Sequence, residues 1–379
     1  LPSGGGQAYA QATGDIFSAE YGVNLSGNGQ RAESNSFNVD GASVNASPRG
    51  GVVNHNPNAD SVQELRVSLN NFSAEYGRNS SVLVNVVTKQ GTNEVHGTLG
   101  WYHTNNKLAE KNIFQTNMPV FRRNEANWSL GAPIIKNKTF AFASMDILRS
   151  GIGSGFSGTV VSRDFANIVK QRYPNNISSM IMGEFTDTLE SKTVNATAGG
   201  LMGSSCTGGD PISTPIGELP CDFPVTERGS FALTLPRDGM QSTLRIDHNF
   251  NDSKDRIYGH VAKTTNNQVL FGSPSVYPAF TEMQLQWTAF ANVNWTHIFG
   301  PSVINQTSWS WQHAEGDAPN SRGEIPRFNV SGIAGYGGGF SDAVFIQNNQ
   351  QWNNVTTWNK GSHSFKFGAN YNCDSGCPG

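Results

Sequence analysis

The chain has 379 residues, a formal net charge of -3 at pH 7 and a hydrophobic content of 36%. This length suits one large or two ordinary domains, and the charge gives no global basic signal for nucleic acid. With 42 Gly, 22 Phe, 9 Tyr and 8 Trp residues, the chain is too aromatic for a disordered protein and too poor in aliphatic residues for an ordinary α/β enzyme. The composition favours an all-β protein.

The first elements in chain order are two turns and a strand. Asp40 and Gly41 end the polar stretch NGQRAESNSFNVDG, and Tyr76 and Gly77 end FSAEYG, so both dipeptides are predicted to form turns. In the run that follows, apolar residues occupy both alternating faces between residues 82 and 87, which predicts a mostly buried strand. Thr88 and Lys89 end that run, in the order Val-Thr-Lys.

From residue 93 onward, strand-like runs are joined alternately by short polar turns and by long irregular connections. The short turns lie at 136–139, 251–255, 299–302 and 359–363, and the long connections at 103–121, 151–239, 266–281 and 316–348. If consecutive strands are antiparallel, all the short turns lie at one edge of the sheet and all the long connections at the other. Outer-membrane barrels show this alternation, with short periplasmic turns and long external loops. About nine strands are predicted.

Helical patterns are few, and the clearest is RDFANIVKQRY at residues 163–173, inside the longest connection. Its apolar side chains, including Phe165 and Ile168, fall roughly on one face, so a short helix is predicted there. No window approaches about 18 consecutive apolar residues, and no transmembrane helix is expected.

The four cysteines form two close pairs, Cys206 with Cys221 and Cys373 with Cys377. Each pair lies in a stretch rich in Gly, Pro and Asp, which favours two local disulfides formed in an oxidising compartment. The alternative is four free thiols in a cytosolic protein. No His lies near either pair with the spacing of zinc ligands, which argues against a zinc site.

Side-chain alternation is clearest in EMQLQWTAFANVNWTHI, at residues 282–298, where one face is apolar and the other carries Gln, Asn and Thr. Between residues 284 and 296, Phe290 is the one apolar residue on the polar face. Trp287 and Trp295 share the apolar face about 26 Å apart along the strand, or about 20 Å along a membrane normal at a tilt of about 40°. With Trp309 and Trp311, they are predicted to belong to an aromatic girdle. Alternation alone also fits a soluble sandwich.

The stretch DSVQELRVSLNNFSAEYGRNSSVLVNVVTKQGTNEVHGTLGWYH, residues 60–103, resembles the end of the plug domain and the start of the barrel in TonB-dependent outer-membrane receptors. In that family a strand leads to a Tyr-Gly turn, then to a strand that ends in Val-Thr-Lys, and then to the first barrel strand. The matching residues are Ser61, Val62, Leu65, Val67, Tyr76, Gly77, Val84, Asn85, Val86, Val87, Thr88, Lys89, Gly91, His96 and Gly97. Asp40 and Gly41 resemble the end of an earlier plug segment, and residues 121–146 resemble the second and third barrel strands of the Oar-like branch.

The resemblance implies an all-β fold, with the C-terminal part of a plug domain at 1–92 and the N-terminal portion of an antiparallel outer-membrane β-barrel at 93–379. The implied function is uptake of a scarce nutrient across the outer membrane, without covalent chemistry. The nutrient would be an iron chelate, cobalamin or glycan, met mainly by the 151–239 connection. The implied partners are outer-membrane lipid, the TonB energy-coupling complex in the full-length protein and the small-molecule or glycan ligand. No cofactor and no nucleic-acid partner is expected.

The chain also departs from the family pattern, since no TonB box is identifiable in residues 1–15 and the family barrel has about 22 strands. We therefore expect this chain to be part of a longer receptor. The alternative is an extracellular or surface β protein that acts as an adhesin, filament subunit or glycan-binding module, with homo-oligomers if the protein is natively this short. A hydrolase is a third possibility, although the scattered His residues and the lack of a nucleophile or phosphate-loop motif argue against an enzyme.

Overall fold

A computed structural model describes residues 21–22, 27, 29–46, 52–69, 81–108, 120–185, 187–269, 275–319, 323–325, 327–337 and 343–374. The early strands are β1 (Tyr21–Gly22), β2 (Ser36–Val39), β3 (Ala42–Ser43), β4 (Val52–Val53), β5 (Val62–Ser68) and β6 (Leu83–Thr88). The later strands are β7 (His96–Asn105), β8 (Phe121–Ile135), β9 (Thr139–Val161), β10 (Glu190–Thr197), β11 (Pro211–Thr214), β12 (Gly217–Pro220), β13 (Pro224–Phe250), β14 (Asp255–Val269), β15 (Met283–Gly300), β16 (Val303–Ala318), β17 (Ala343–Lys360) and β18 (His363–Asp374). The helices are α1 (Arg163–Arg172), α2 (Ile177–Glu184) and α3 (Ala198–Leu201), and short 3-10 turns lie at Ala32–Ser34, Ala59–Ser61 and Pro278–Phe280.

Ten strands form one large sheet, in the order β18-β17-β16-β15-β14-β13-β9-β8-β7, with β10 added against β13. Neighbours along this order pair antiparallel, and the sheet is not closed, as in a partial barrel. Tight turns join β8 to β9, β13 to β14, β15 to β16 and β17 to β18 at one end. Asn137, Asn251 and Gly361 adopt positive φ there, which suits the twist of tight hairpins. The predicted antiparallel barrel-type architecture is confirmed.

A small sheet of β3, β2, β6 and β5 lies against one face of the large sheet. We call the covered face of the large sheet its inner face and the opposite face its outer face. Along β15, the inner-face residues Gln284, Gln286 and Asn292 are buried, while Leu285 and Trp295 on the outer face are 43% and 44% exposed. The alternation predicted from the sequence therefore separates a polar inner face from an apolar outer face.

The connection between β9 and β13 is ordered, which corrects the expectation of an irregular loop over 151–239. The two strands pair from Thr139 with His248 to Val161 with Thr226, about 75 Å of ladder at about 3.3 Å per residue. The half of these two strands farther from the tight turns extends beyond their neighbours, because β8 pairs with β9 only as far as Ile152 and β14 pairs with β13 only as far as Arg237. A membrane band of about 25 Å needs much less strand than this ladder contains. We call residues 151–161 and 224–237 the arm.

A second apolar cluster lies at the arm and ties other long connections to it. Phe231 of the arm packs with Tyr277, Phe280 and Tyr336, which come from the two connections that follow β14 and β16. The Tyr277 hydroxyl donates to that of Tyr336 at 2.8 Å, and the two rings stack with centroids 4.5 Å apart. Burial, then the neighbouring phenol, raises the pKa of Tyr277, so the pair stays neutral. Three long connections thus form one packed unit.

Helix α1 occupies Arg163–Arg172 and confirms the predicted helix. The Ser162 side chain caps it by accepting from the Phe165 amide at 3.1 Å, with Asp164 in the first turn. None of the helices in the described ranges is long and apolar enough to cross a membrane.

Candidate functional site

The contact between the small sheet and the inner face of the large sheet is the candidate functional site. It begins at the turn between β2 and β3, where Asp40 and Gly41 have φ values of 50° and 82°. Two successive positive φ values are typical of a tight hairpin turn, for which Asp-Gly is a favoured dipeptide. The turn directs Asp40, a predicted plug-motif residue, to the inner face of β13 and β14.

Asp40 accepts hydrogen bonds from both the small sheet and the large sheet. Its carboxylate lies 2.9 Å from the Thr88 amide nitrogen and 2.6 Å from the Thr88 hydroxyl. On the large sheet it lies 3.3 Å from Arg245 Nη1 and 3.0 Å from His260 Nδ1, and the carboxylate is fully buried. The structure thus brings together two motif residues, Asp40 and Thr88. It joins them to charged residues on the inner face of the large sheet, which we call the wall and which the motif did not indicate.

Arg245 forms the centre of a charge-balanced network. Its Nε and Nη2 bind the two carboxylate oxygens of Asp247 at 2.8 and 2.9 Å, the bidentate geometry that suits a guanidinium. Its Nη1 also reaches the Thr88 carbonyl at 3.0 Å, and its guanidinium lies 4.0 Å from the Tyr258 ring centroid. Arg256 binds Asp247 at 2.8 Å. Two carboxylates and two guanidiniums therefore compensate one another.

The electrostatics keep Asp40 ionised. Burial alone would raise the pKa of this carboxyl, but the hydrogen bond and charge of His260, with the Arg245 guanidinium and the Thr88 hydroxyl, hold the pKa below its usual range. The negative charge of Asp40 therefore persists through the neutral and mildly acidic range.

His55, which sequence reasoning did not single out, lies beside this network. The side chain is buried, its ring stacks on Phe290 with centroids 5.1 Å apart, and it meets His260 edge-on at 6.2 Å. Neither ring nitrogen has a hydrogen-bond partner in the described part of the chain. Burial, and then the nearby imidazole of His260, lowers the pKa of His55 to about 3. The ring is therefore neutral at physiological pH.

Phe290 explains the one exception in the alternation of β15. Its ring is 2% exposed and joins a small apolar core with Phe37, Val39 and Val84 of the small sheet and Ala262 of β14. The apolar residue amid the polar inner-face residues of β15 thus marks the point at which the small sheet rests on the wall.

Further contacts between residues 43–56 and the wall are made by amide groups. Gln241 donates to the Asn56 carbonyl at 2.8 Å, and Gln312 donates to the Asn45 carbonyl at 3.1 Å. The Ser43 amide donates to Gln351 at 2.9 Å. These side chains come from β13, β16 and β17, so polar contacts reach across most of the inner face.

The other predicted residues lie apart from this network or beside it. Lys89 follows Thr88 and lines, with His96, Arg245 and Arg256, a cavity of about 660 Å³. Tyr76, Gly77 and Cys377 lie outside the described residues. Cys206 and Cys221 form a disulfide with Cα atoms 6.0 Å apart, next to the β11–β12 hairpin. Cys373 lies in β18.

The four predicted girdle tryptophans lie on the outer face. Strand register places Trp309 opposite Val293 and Trp311 opposite Ala291, so along the strand both fall between Trp287 and Trp295. Trp309 also packs on Trp352, with ring centroids 6.1 Å apart. Within the described ranges, no group of three or more His, Cys, Asp or Glu side chains is arranged to hold a metal ion.

The large sheet is antiparallel, with a polar inner face and an apolar outer face. It has tight turns at one end and long connections at the other, and these features together define an outer-membrane β-barrel protein. The sequence matches the outer membrane beta barrel domain family over residues 87–375, and the chain belongs to that family. The protein is therefore located in the outer membrane, which excludes the extracellular alternative considered from the sequence.

Known proteins that resemble the chain are transporters and receptors rather than enzymes. It is 30% identical over 132 residues to the TonB-dependent transporter Oar of Myxococcus xanthus, covering 32% of this chain and 12% of that protein. The ferric enterobactin receptor of Pseudomonas aeruginosa, solved in complex with enterobactin, has a TM-score of 0.48 at 12% identity, covering 94% of this chain and 46% of that chain. The FrpB iron transporter of Neisseria meningitidis has a TM-score of 0.47 at 9% identity, covering 90% of this chain and 51% of that chain. The chain spans about half the length of these two structures.

Proposed function

We propose that this chain is part of a TonB-dependent transporter that takes up a scarce nutrient across the outer membrane. In this proposal residues 1–92 are the C-terminal part of a plug domain, and residues 93–379 are the N-terminal portion of the barrel. The tight turns face the periplasm, and the long connections, including the arm, face the exterior. The similarity to the Oar transporter over 132 residues supports this assignment.

The observation that carries the proposal is the polar contact between the small sheet and the inner face. A domain that must move within a barrel needs contacts that water can replace, because polar groups regain hydrogen bonds when they are exposed. The Asp40–Arg245 pair and the Gln241–Asn56 contact meet this condition. Phe290 supplies a small apolar contact that fixes the resting position.

The ligand belongs to one of three classes, an iron chelate, cobalamin or a glycan, and is met first by the external connections. The arm and the cluster of Tyr277, Phe280 and Tyr336 give these connections a folded framework on which to present binding side chains. The proteins of known structure that resemble the chain include a receptor for ferric enterobactin and an iron transporter. An iron chelate is accordingly the first ligand to test.

The test compares growth of the native host with and without the gene on three media. The first supplies iron only as a chelate, the second supplies cobalamin as a required nutrient, and the third supplies carbon only as an oligosaccharide. Growth on one class should require both the gene and the TonB complex. A covalent link between the small sheet and the large sheet gives a second readout. The double variant Asn58→Cys with Ser144→Cys replaces two side chains that lie 3.4 Å apart, and a short reducible thiol cross-linker can join the two cysteines.

The cross-linked protein should lose uptake and regain it on reduction, while either single cysteine variant, treated in the same way, should retain it. Uptake that persists in the cross-linked protein, or in cells without the TonB complex, would contradict the proposal.

A further inference from the structure

The outer face of β7, β8, β9 and β13 changes from apolar to basic within one row of cross-strand neighbours. Trp101, Ala126, Ile147 and Met240 form an entirely apolar row. The next row toward the long connections, about 6.6 Å further along the strands, contains Arg149 between Asn124 and Asp238. The row after it contains Arg122 between Asn105 and Gly151. On these four strands, cationic groups therefore begin where the lipid-facing apolar band ends.

The basic residues line a concave site. Arg122, Arg149 and Lys107 surround a cavity of about 660 Å³ whose lining also includes Asn124 and Gly151. Gly151 follows Arg149 by two residues in β9 and pairs with Arg122 of β8, and a Cβ built there would come within 3.1 Å of the Thr234 side chain. The absence of a side chain at this position therefore leaves the cavity open.

The local structure fixes the polar groups around the cavity. The Asn105 side chain accepts from the amides of Lys107 and Leu108 at 2.8 and 3.1 Å, which holds the turn that carries Lys107. His103 bridges Asn105 and Asn124, at 2.8 and 2.7 Å. The turn and the two amide side chains are thus held in place without using the cationic groups.

Most of the positive charge at the cavity is uncompensated. Arg149 has one carboxylate neighbour, Asp238, with 3.7 Å between Nε and the nearer oxygen, and both side chains are largely exposed. Within the described ranges, the side chains of Arg122 and Lys107 have no ion-pair partner. The cavity therefore holds three cationic groups and one carboxylate.

We propose that Arg122, Arg149 and Lys107 bind the phosphate of a lipid headgroup in the outer leaflet. Guanidinium groups bind phosphate in bidentate fashion, and the cavity is adjacent to the apolar band that would hold the acyl chains. The proposal rests on the outer-membrane location and not on transport, so either proposal can fail alone.

The test uses the full-length protein purified in detergent and measures bound lipid by native mass spectrometry. The probes are a phosphorylated outer-leaflet glycolipid, the same glycolipid after phosphatase treatment, and phosphatidylglycerol. A basic residue near an anionic lipid surface contributes about a fivefold change in affinity, so Arg122→Gln with Arg149→Gln should weaken binding of the phosphorylated glycolipid about 25-fold. The matched control, Lys136→Gln with Lys138→Gln, removes the same charge at the tight-turn end and should bind normally.

Asp238→Asn provides a test of opposite sign, because it removes the carboxylate that competes for Arg149 and should strengthen binding severalfold. The phosphatase-treated glycolipid should bind far more weakly than the phosphorylated form, and phosphatidylglycerol should bind less tightly than the outer-leaflet glycolipid. Equal binding of the two glycolipids, equal loss in the control pair, or preference for phosphatidylglycerol would overturn the proposal.

Discussion

Replacing His55 by Phe should make attachment of the small sheet to the inner face independent of mild acid. His55 is buried against Phe290 with neither ring nitrogen hydrogen-bonded within the described ranges, and its pKa is lowered to about 3 by burial. A buried polar group without a partner costs about 1 to 3 kcal/mol. Phe keeps the aromatic stacking and removes that cost, so the variant should also be more firmly attached at neutral pH.

The pH dependence follows from the two protonation states. Above the ordinary His pKa of 6.5, the His55 side chain binds no proton, whether the small sheet is attached or released. Below it, only the released form does so until about pH 3, so acid favours release. With a pKa of 6.5 in the released form, attachment should weaken by about 2 kcal/mol between pH 7 and pH 5. Asp40, whose pKa lies below its ordinary range, contributes only in stronger acid.

The assay is hydrogen exchange of the small-sheet amides, measured by mass spectrometry between about pH 7 and pH 5 and corrected for intrinsic rates. The wild-type protein should lose protection as the pH falls, and His55→Phe should not. His55→Leu separates charge from ring size, and His363→Phe, at an exposed position in β18, should keep the wild-type slope. An unchanged slope in both His55 variants would refute the assignment of the pH effect to this side chain.

Three further predictions concern the wall and the long connections. Asp40→Asn should weaken attachment of the small sheet by about 3 kcal/mol, because the buried Arg245 guanidinium loses one of its two carboxylate partners. In the same exchange measurement, Asp238→Asn at an exposed position should change the attachment little. Ala291→Arg, on the outer face between two tryptophans, should block membrane assembly at a cost of about 2 to 4 kcal/mol, and the inward Gln306→Arg should assemble, as read from heat-modifiable migration on gels. Cys206→Ser should remove about 3 kcal/mol of restraint from the β11–β12 hairpin, visible as faster proteolysis there without loss of assembly.

The pattern of the large sheet could be predicted from the sequence because it is a local property. Alternation along β15 identifies the outer face from neighbouring residues alone, and the tight turns carry Asn and Gly at positions that need positive φ. Phe290 was recognised as an exception but not explained. Its reason is a contact with the small sheet, whose Phe37 is 253 positions away in the chain.

The charged network could not be predicted for the same reason. Asp40 and Arg245 are 205 residues apart, and neither sequence neighbourhood indicates the other. Arg245 and Asp247 could be placed on one face of a strand, but a polar residue on an inner face has the same pattern whether it meets water or a partner. His55 lies in the segment NHNPN, in which nothing distinguishes a buried imidazole from a loop residue.

The arm was missed because its composition resembles a loop. Residues 151–161 read GIGSGFSGTVV, and Gly and Ser are poor strand formers on their own. They form a strand because β13 pairs with them along their whole length and Phe231 packs on Phe156, with ring centroids 5.4 Å apart. Tertiary pairing here overrides local propensity.

The composition of the contact between the two sheets limits how strongly they are held together. Burying one Phe side chain such as Phe290 contributes about 1.5 to 3 kcal/mol. A buried, compensated ion pair such as Asp40 with Arg245 contributes little beyond this, since its attraction is offset by the loss of hydration. The network therefore fixes the position of the small sheet more than it strengthens the attachment. Replacing Asp40, Arg245 and Asp247 together with apolar residues of similar size should hold the small sheet more tightly, and in the proposed transporter that variant should take up less ligand than the wild type.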